Sequence, residues 1–104
     1  MIKKEGRVLG VDFGDVRTGL AISDETRFLA SGIGYIKPGG IVKTADKVAE
    51  IAMENHAVAI VVGHPMNMNG TRGPRAERAE EFAELLRARL PDAEVLLFDE
   101  RMTT

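Results

Sequence analysis

The chain has 104 residues and contains no cysteine and no tryptophan, with only five aromatic side chains, one Tyr and four Phe. Without thiols there is no disulfide framework, no thiolate metal site and no cysteine nucleophile. An excess of basic charge is missing too: 14 Lys and Arg stand against 16 Asp and Glu, a net charge of -2. Nucleic-acid binding driven by bulk charge is therefore excluded, and any such partner must be met by a local patch. The aromatic residues do not interleave with the arginines in sequence, so no base-stacking platform is expected. No apolar run approaches the roughly 20 residues that span a bilayer. The N-terminal MIKKEGRVLG is not a signal peptide. A cytoplasmic protein with no membrane partner is the expectation. The Walker pattern G-x-x-x-x-G-K-[ST] is absent, and no Ser-His-Asp arrangement can be assembled from spacing. The length leaves no room for a two-domain kinase, and a single domain over 1–104 is expected.

What is present has a clear order. Residues 7–13 (RVLGVDF) and 17–23 (RTGLAIS) read as two strands joined by a tight turn. Residues 28–36 (FLASGIGYI) read as a third, with a bulge at Gly32 and Gly34. After Pro38-Gly39-Gly40 the apolar residues Ile41, Ala45, Val48, Ala49 and Ala52 recur at helical spacing. Residues 57–63 (AVAIVVG) form a continuous apolar run, the pattern of a central strand covered on both faces. Pro74 suits the first turn of a second helix, whose face is Ala76, Ala79, Phe82, Ala83, Leu86 and Leu90. Residues 94–98 (EVLLF) make the fifth strand. The order β-β-β-α-β-α-β predicts an α/β fold with one mixed five-stranded sheet, its later strands parallel through right-handed crossovers.

Three places carry candidate chemistry. Asp12 ends the first strand and enters a glycine turn, in the pattern D-x-G-x-x-x-x-G-x-A formed by Asp12, Gly14, Gly19 and Ala21. Small residues above a carboxylate leave room for a metal ion or a phosphate, although an Asp at a turn can also simply bond its own backbone. Asp99 and Glu100 end the last strand beside Arg101. Ligands of open α/β sheets sit at strand ends, and a hard divalent ion needs only two or three carboxylates. The plainer reading is a surface ion pair of Asp99 with Arg101. The third place is the loop 64–73 (HPMNMNGTRG), where Asn67, Asn69, Arg72 and Arg75 surround a helix N-terminus that favours anions. His64 is read as satisfied locally and His56 as a helix-end residue.

The ordered set of Leu9-Gly10-Val11-Asp12-Phe13-Gly14, Arg17-Thr18-Gly19-Leu20-Ala21, Val61-Val62-Gly63-His64-Pro65, Gly73-Pro74-Arg75 and Asp99-Glu100-Arg101-Met102-Thr103-Thr104 resembles the YqgF family. These are Holliday junction resolvase-like nucleases, also described as pre-16S rRNA processing nucleases. The resemblance implies an RNase H-like, RuvC-type fold and phosphodiester hydrolysis assisted by Mg²⁺ or Mn²⁺. It also implies metal-binding and catalytic acids at Asp12, Asp99 and Glu100, most directly Asp12 and Glu100. Arg17, Asn67, Asn69, Arg72, Arg75 and Arg101 would then hold the nucleic acid. The family pattern has an aliphatic residue where His64 stands, and family members continue into a last helix carrying a further acid. Here the sequence stops at Thr104, so a C-terminally truncated domain is expected, with one sheet face uncovered and open to self-association. Two other readings stay open. One is a nucleotide-binding module of the actin and sugar-kinase type. The other is a non-catalytic nucleic-acid-binding or ribosome-biogenesis factor without a complete metal site. RNA and DNA are both open as partners.

Overall fold

A computed structural model describes residues 5–14, 17–23, 30–37, 39–67 and 69–99. The strands are β1 (Arg7–Asp12), β2 (Thr18–Ser23), β3 (Ala30–Ile36), β4 (Ala57–His64) and β5 (Glu94–Asp99). The helices are α1 (Ile41–Glu54) and α2 (Pro74–Arg89). The five strands form one sheet in the order β3-β2-β1-β4-β5. β1, β2 and β3 pair antiparallel, whereas β4 runs parallel to β1 and to β5. Both the mixed sheet and the element order match the sequence expectation. The bulge also lies where it was expected. Leu20 pairs with Gly34 and Ala21 with Gly32, so Ile33 is the extra residue, and Gly34 takes φ 116.

Each helix is fixed by local chemistry. At the start of α1 the Thr44 hydroxyl donates to the Gly40 carbonyl at 2.8 Å. At its end Asn55 bonds the Ile51 carbonyl twice, from its backbone N–H at 3.0 Å and its side-chain amide at 2.9 Å. His56 then turns the chain with φ 54, in the left-handed region. α2 opens on Pro74, carries Glu77 in its first turn and Arg87 and Arg89 in its last, all favourable to the helix dipole. Arg87 donates to the Val95 carbonyl at 2.9 Å and ties α2 to β5.

The position of the core follows from handedness. Both crossovers, β3-α1-β4 and β4-α2-β5, join parallel strands while stepping in the same direction along the sheet. Right-handed connections then place both helices on one face. On that face Leu9, Val11, Leu20, Ile60, Val62 and Val95 meet Ala45, Val48, Ala49 and Ala52 of α1 and Ala79, Phe82, Ala83 and Leu86 of α2. Phe82, fully buried, stacks on Phe13 with ring centroids 4.6 Å apart. This corrects the expectation that β4 is covered on both sides. Its apolar run is continuous, yet Val61 and Gly63 face away from both helices and line an open depression. No helix among the described residues is long and apolar enough to cross a membrane.

Candidate active site

Strand alternation decides what lies on the open face. In β1 the odd residues Leu9 and Val11 enter the core, so Val8, Gly10 and Asp12 point the other way. Asp12 pairs with Gly19 of β2, and Gly19 pairs with Tyr35 of β3. On the other side, Val11 pairs with Val62, and one further step of the same register sets Gly63 beside Asp12. Gly63 pairs with Phe98 of β5. One row therefore crosses the whole sheet: Tyr35, Gly19, Asp12, Gly63, Phe98. It borders a depression of about 640 Å³ whose floor is continued by Gly10, Ala21 and Val61.

Asp12 is exposed at the C-terminal end of the central strand. No hydrogen bond or ion pair joins its carboxylate to a described residue. Glycine neighbours on both sides leave it unshielded. A Cβ built at Gly19 would lie 4.0 Å from the Asp12 Cβ and 3.6 Å from the Tyr35 ring. Gly14 has a different role from the one its motif suggests. A Cβ there would fall 2.5 Å from the Arg17 carbonyl oxygen, so this glycine closes the β1–β2 turn on the protein's own backbone. The turn delivers Arg17 to the same face, where its guanidinium carbon sits 4.5 Å above the centre of the Tyr35 ring.

The other expected site residues separate from this row. Asp99 pairs with His64, and alternation from Val95 and Leu97 turns it toward the helix side, opposite to Asp12. β4 also lies between β1 and β5, so strands one and five do not pair. Glu100 and Arg101 lie outside the described residues. Asn67 and Asn69 build the loop itself. The Asn67 side-chain amide donates to the Thr71 hydroxyl at 3.0 Å, and the Asn69 side-chain oxygen accepts from the Thr71 N–H at 3.1 Å and hydroxyl at 2.7 Å. Arg72 is held by Glu80 at 2.9 Å and Glu77 at 3.8 Å. Arg75, exposed in the first turn of α2, makes no ion pair with a described residue. His64 meets Glu80 at 2.6 Å, so Glu80 joins the histidine and Arg72 in one network on the helix side.

Tyr35, Phe98 and the contact of Arg17 with Tyr35 escape sequence reasoning. Aromatics and arginines are not interleaved along the chain, but the sheet interleaves them in space: Arg17 covers Tyr35, and Arg78 lies 5.9 Å from the Phe13 ring centre. The available signal was alternation, which places Tyr35 and Phe98 opposite the core residues of their own strands.

Comparison with known proteins adds three findings. A family model described as "RuvX: Holliday junction resolvase" matches residues 6–104. A relative from Ruminiclostridium cellulolyticum, named "Putative pre-16S rRNA nuclease", is 44% identical over 99 residues, which cover 94% of this chain and 69% of the relative. Among solved structures, T. thermophilus RuvC in complex with a Holliday junction substrate superposes with a TM-score of 0.66 at 13% identity, covering 92% of this chain and 66% of RuvC. The last likeness is one of fold.

Proposed function

The chain belongs to the RuvX family of Holliday junction resolvases, and on that premise we propose that it is a nuclease cleaving phosphodiester bonds of structured nucleic acid with the help of a divalent ion. The observation that carries the reading is Asp12, a carboxylate without a described partner at the end of the central strand, set in a floor of glycines. Its chemistry fits a hard ion such as Mg²⁺ or Mn²⁺, which takes oxygen ligands and few of them from protein. Among the described residues no three His, Asp or Glu gather into a cluster. The proposed ligand set is accordingly Asp12 with Glu100, the two acids that the resemblance to the YqgF family implies most directly. Asp99 is the weaker ligand, because strand alternation turns it to the helix side, away from Asp12. An ion there would activate the attacking water and stabilise charge on the leaving oxygen.

The chain's own residues do the rest. Gly19 and Gly63 leave space for a sugar-phosphate backbone to descend onto Asp12, which larger side chains would prevent. Arg17 supplies a cation beside that space, suited to a phosphate of the bound strand. The test compares cleavage of a structured RNA and of a four-way DNA junction, with Mg²⁺, with Mn²⁺ and with chelator. Asp12→Asn and Glu100→Gln should each abolish metal-dependent cleavage with an unchanged melting temperature, while Asp99→Asn retains activity. Full cleavage by Asp12→Asn would sink the proposal. Binding of nucleic acid with no metal-dependent cleavage would favour the non-catalytic factor instead.

A further inference from the structure

A second, smaller cavity lies at the same end of the sheet as Asp12, but on the side that α1 and α2 cover. β3 is antiparallel to β2 and β2 to β1, so β3 ends where β1 ends, and α1 begins there. Phe13, Gly14 and Thr18 of the first hairpin, Gly40 and Ile41 at the start of α1, and Arg78 of α2 enclose about 80 Å³. Sites for drug-sized ligands have roughly 300–1,000 Å³, so this space suits one small ion rather than a base or a nucleotide. Its chemistry is that of an anion site. Gly40 has no side chain to cap α1, and the first turn of that helix carries no acid. The N–H groups of Ile41, Val42 and Lys43 therefore keep the positive end of the helix dipole. Lys43 adds a cation in that turn, and Arg78 faces it across the cavity, 5.9 Å from the Phe13 ring centre, with only an exposed 3.4 Å pair to Glu81. No acid lines the cavity among the described residues. Cations gathered at the positive end of a helix are unfavourable unless an anion joins them.

Thr18 points to a ligand independently. Two residues before the core residue Leu20, it faces the helix side and is only 2% exposed. No hydrogen bond joins its hydroxyl to a described residue, and a buried polar group without a partner calls for one. No wholly enclosed side-chain polar atom among the described residues lacks a partner, so this hydroxyl opens onto the cavity whose wall it forms. We infer that the cavity binds a phosphate group, which accepts hydrogen bonds from the first N–H groups of α1, from the Thr18 hydroxyl and from the Arg78 guanidinium. Phe13 and Gly14 follow Asp12 directly in the chain, so the cavity lies round the end of β1 from the reacting position. Its phosphate is accordingly one of the nucleic-acid backbone, anchoring the strand beside the bond that is cut. That last assignment rests on the nuclease reading; phosphate binding itself does not.

Inorganic phosphate titrated into the isotope-labelled protein should shift the amide NMR resonances of Ile41, Val42 and Lys43. Thr18→Val, which keeps the shape and loses the hydroxyl, should weaken phosphate binding about 10-fold without lowering Tm, and Arg78→Gln should weaken it similarly, each from loss of one hydrogen bond to a charged group. Val42→Glu puts an acid at an exposed first-turn position that the helix dipole favours, so it should fold and lose phosphate binding. In chelator, where no cleavage occurs, a structured RNA or a four-way DNA junction should displace the phosphate. In cleavage, Thr18→Val should raise KM and leave kcat unchanged. Phosphate that leaves the three amides unmoved, or that binds Thr18→Val and Val42→Glu as tightly as the parent, would overturn the inference. So would phosphate that binds Asp15→Asn but not the parent, which would mean that the carboxylate of Asp15, a residue outside the described ones, already serves the cavity. Phosphate that nucleic acid does not displace would make the ligand a free phosphate ion and overturn the backbone assignment. If Asp12-dependent cleavage occurs with a KM that Thr18→Val and Arg78→Gln do not move, the nuclease reading stands and this inference falls. Competition of nucleic acid with phosphate at the cavity, without any cleavage, gives the reverse.

Discussion

Two glycines of the same short motif should respond in opposite directions to the same change. At Gly14 an added methyl carbon would be 2.5 Å from the Arg17 carbonyl oxygen, below the 3.0 Å that real Cβ atoms respect. The obstacle is backbone, so the turn itself must move. Overpacking of this kind costs about 1–3 kcal/mol. In a domain of this size each kcal/mol lowers Tm by roughly 4–8 °C. At Gly19 the nearest atoms to an added methyl are 3.6, 3.7 and 4.0 Å away, ordinary contact distances, and the backbone is extended. Gly19→Ala should therefore raise stability by about 0.4–1 kcal/mol, through a less flexible unfolded chain. Yet its methyl occupies the floor between Asp12 and Tyr35, so cleavage should fall as Tm rises. Gly14→Ala should lower Tm. Thermal unfolding followed by circular dichroism, with cleavage measured on the same samples, separates the two. A Gly14→Ala protein as stable as the parent would refute the reading of the turn. A Gly19→Ala protein with undiminished cleavage would refute the reading of the floor.

Two further outcomes concern the helix side. Phe82→Ala, which removes a fully buried ring stacked on Phe13, should cost about 3–5 kcal/mol in urea unfolding; a loss under about 1 kcal/mol would contradict its central place in the core. Glu80→Ala leaves His64 and Arg72 without their shared partner and should cost about 1–3 kcal/mol. Glu81→Ala breaks only an exposed pair with Arg78 and should cost under about 1 kcal/mol. Equal costs for the two would mean the His64 network is no more than a surface contact.

The elements were legible because their signals are local. Pro74 marks the first residue of α2, Asn55 caps α1, and the glycines of β3 mark the bulge, each through chemistry that acts over a few residues. Asp12 was legible as a candidate because its motif is contiguous. The loop residues Asn67, Asn69 and Arg72 were expected to face a ligand. All three stay exposed while their polar atoms also bond Thr71, Glu80 and Glu77, contacts that depend on how the loop folds and on where α2 lies. Asp99 illustrates the cost of a single-residue step, since strand alternation turns it and Asp12 to opposite sides of one sheet.

By itself the sequence determined the order of elements, the single mixed sheet and the carboxylate at the end of β1, all properties set by short-range periodicity and turn chemistry. Only the tertiary structure decided which strands are neighbours and which face stays open. Those follow from two same-direction right-handed crossovers and from pairing registers across residues far apart in the chain. That registration alone lines up Tyr35, Asp12 and Phe98, residues separated by 23 and 86 positions, in one row across the sheet.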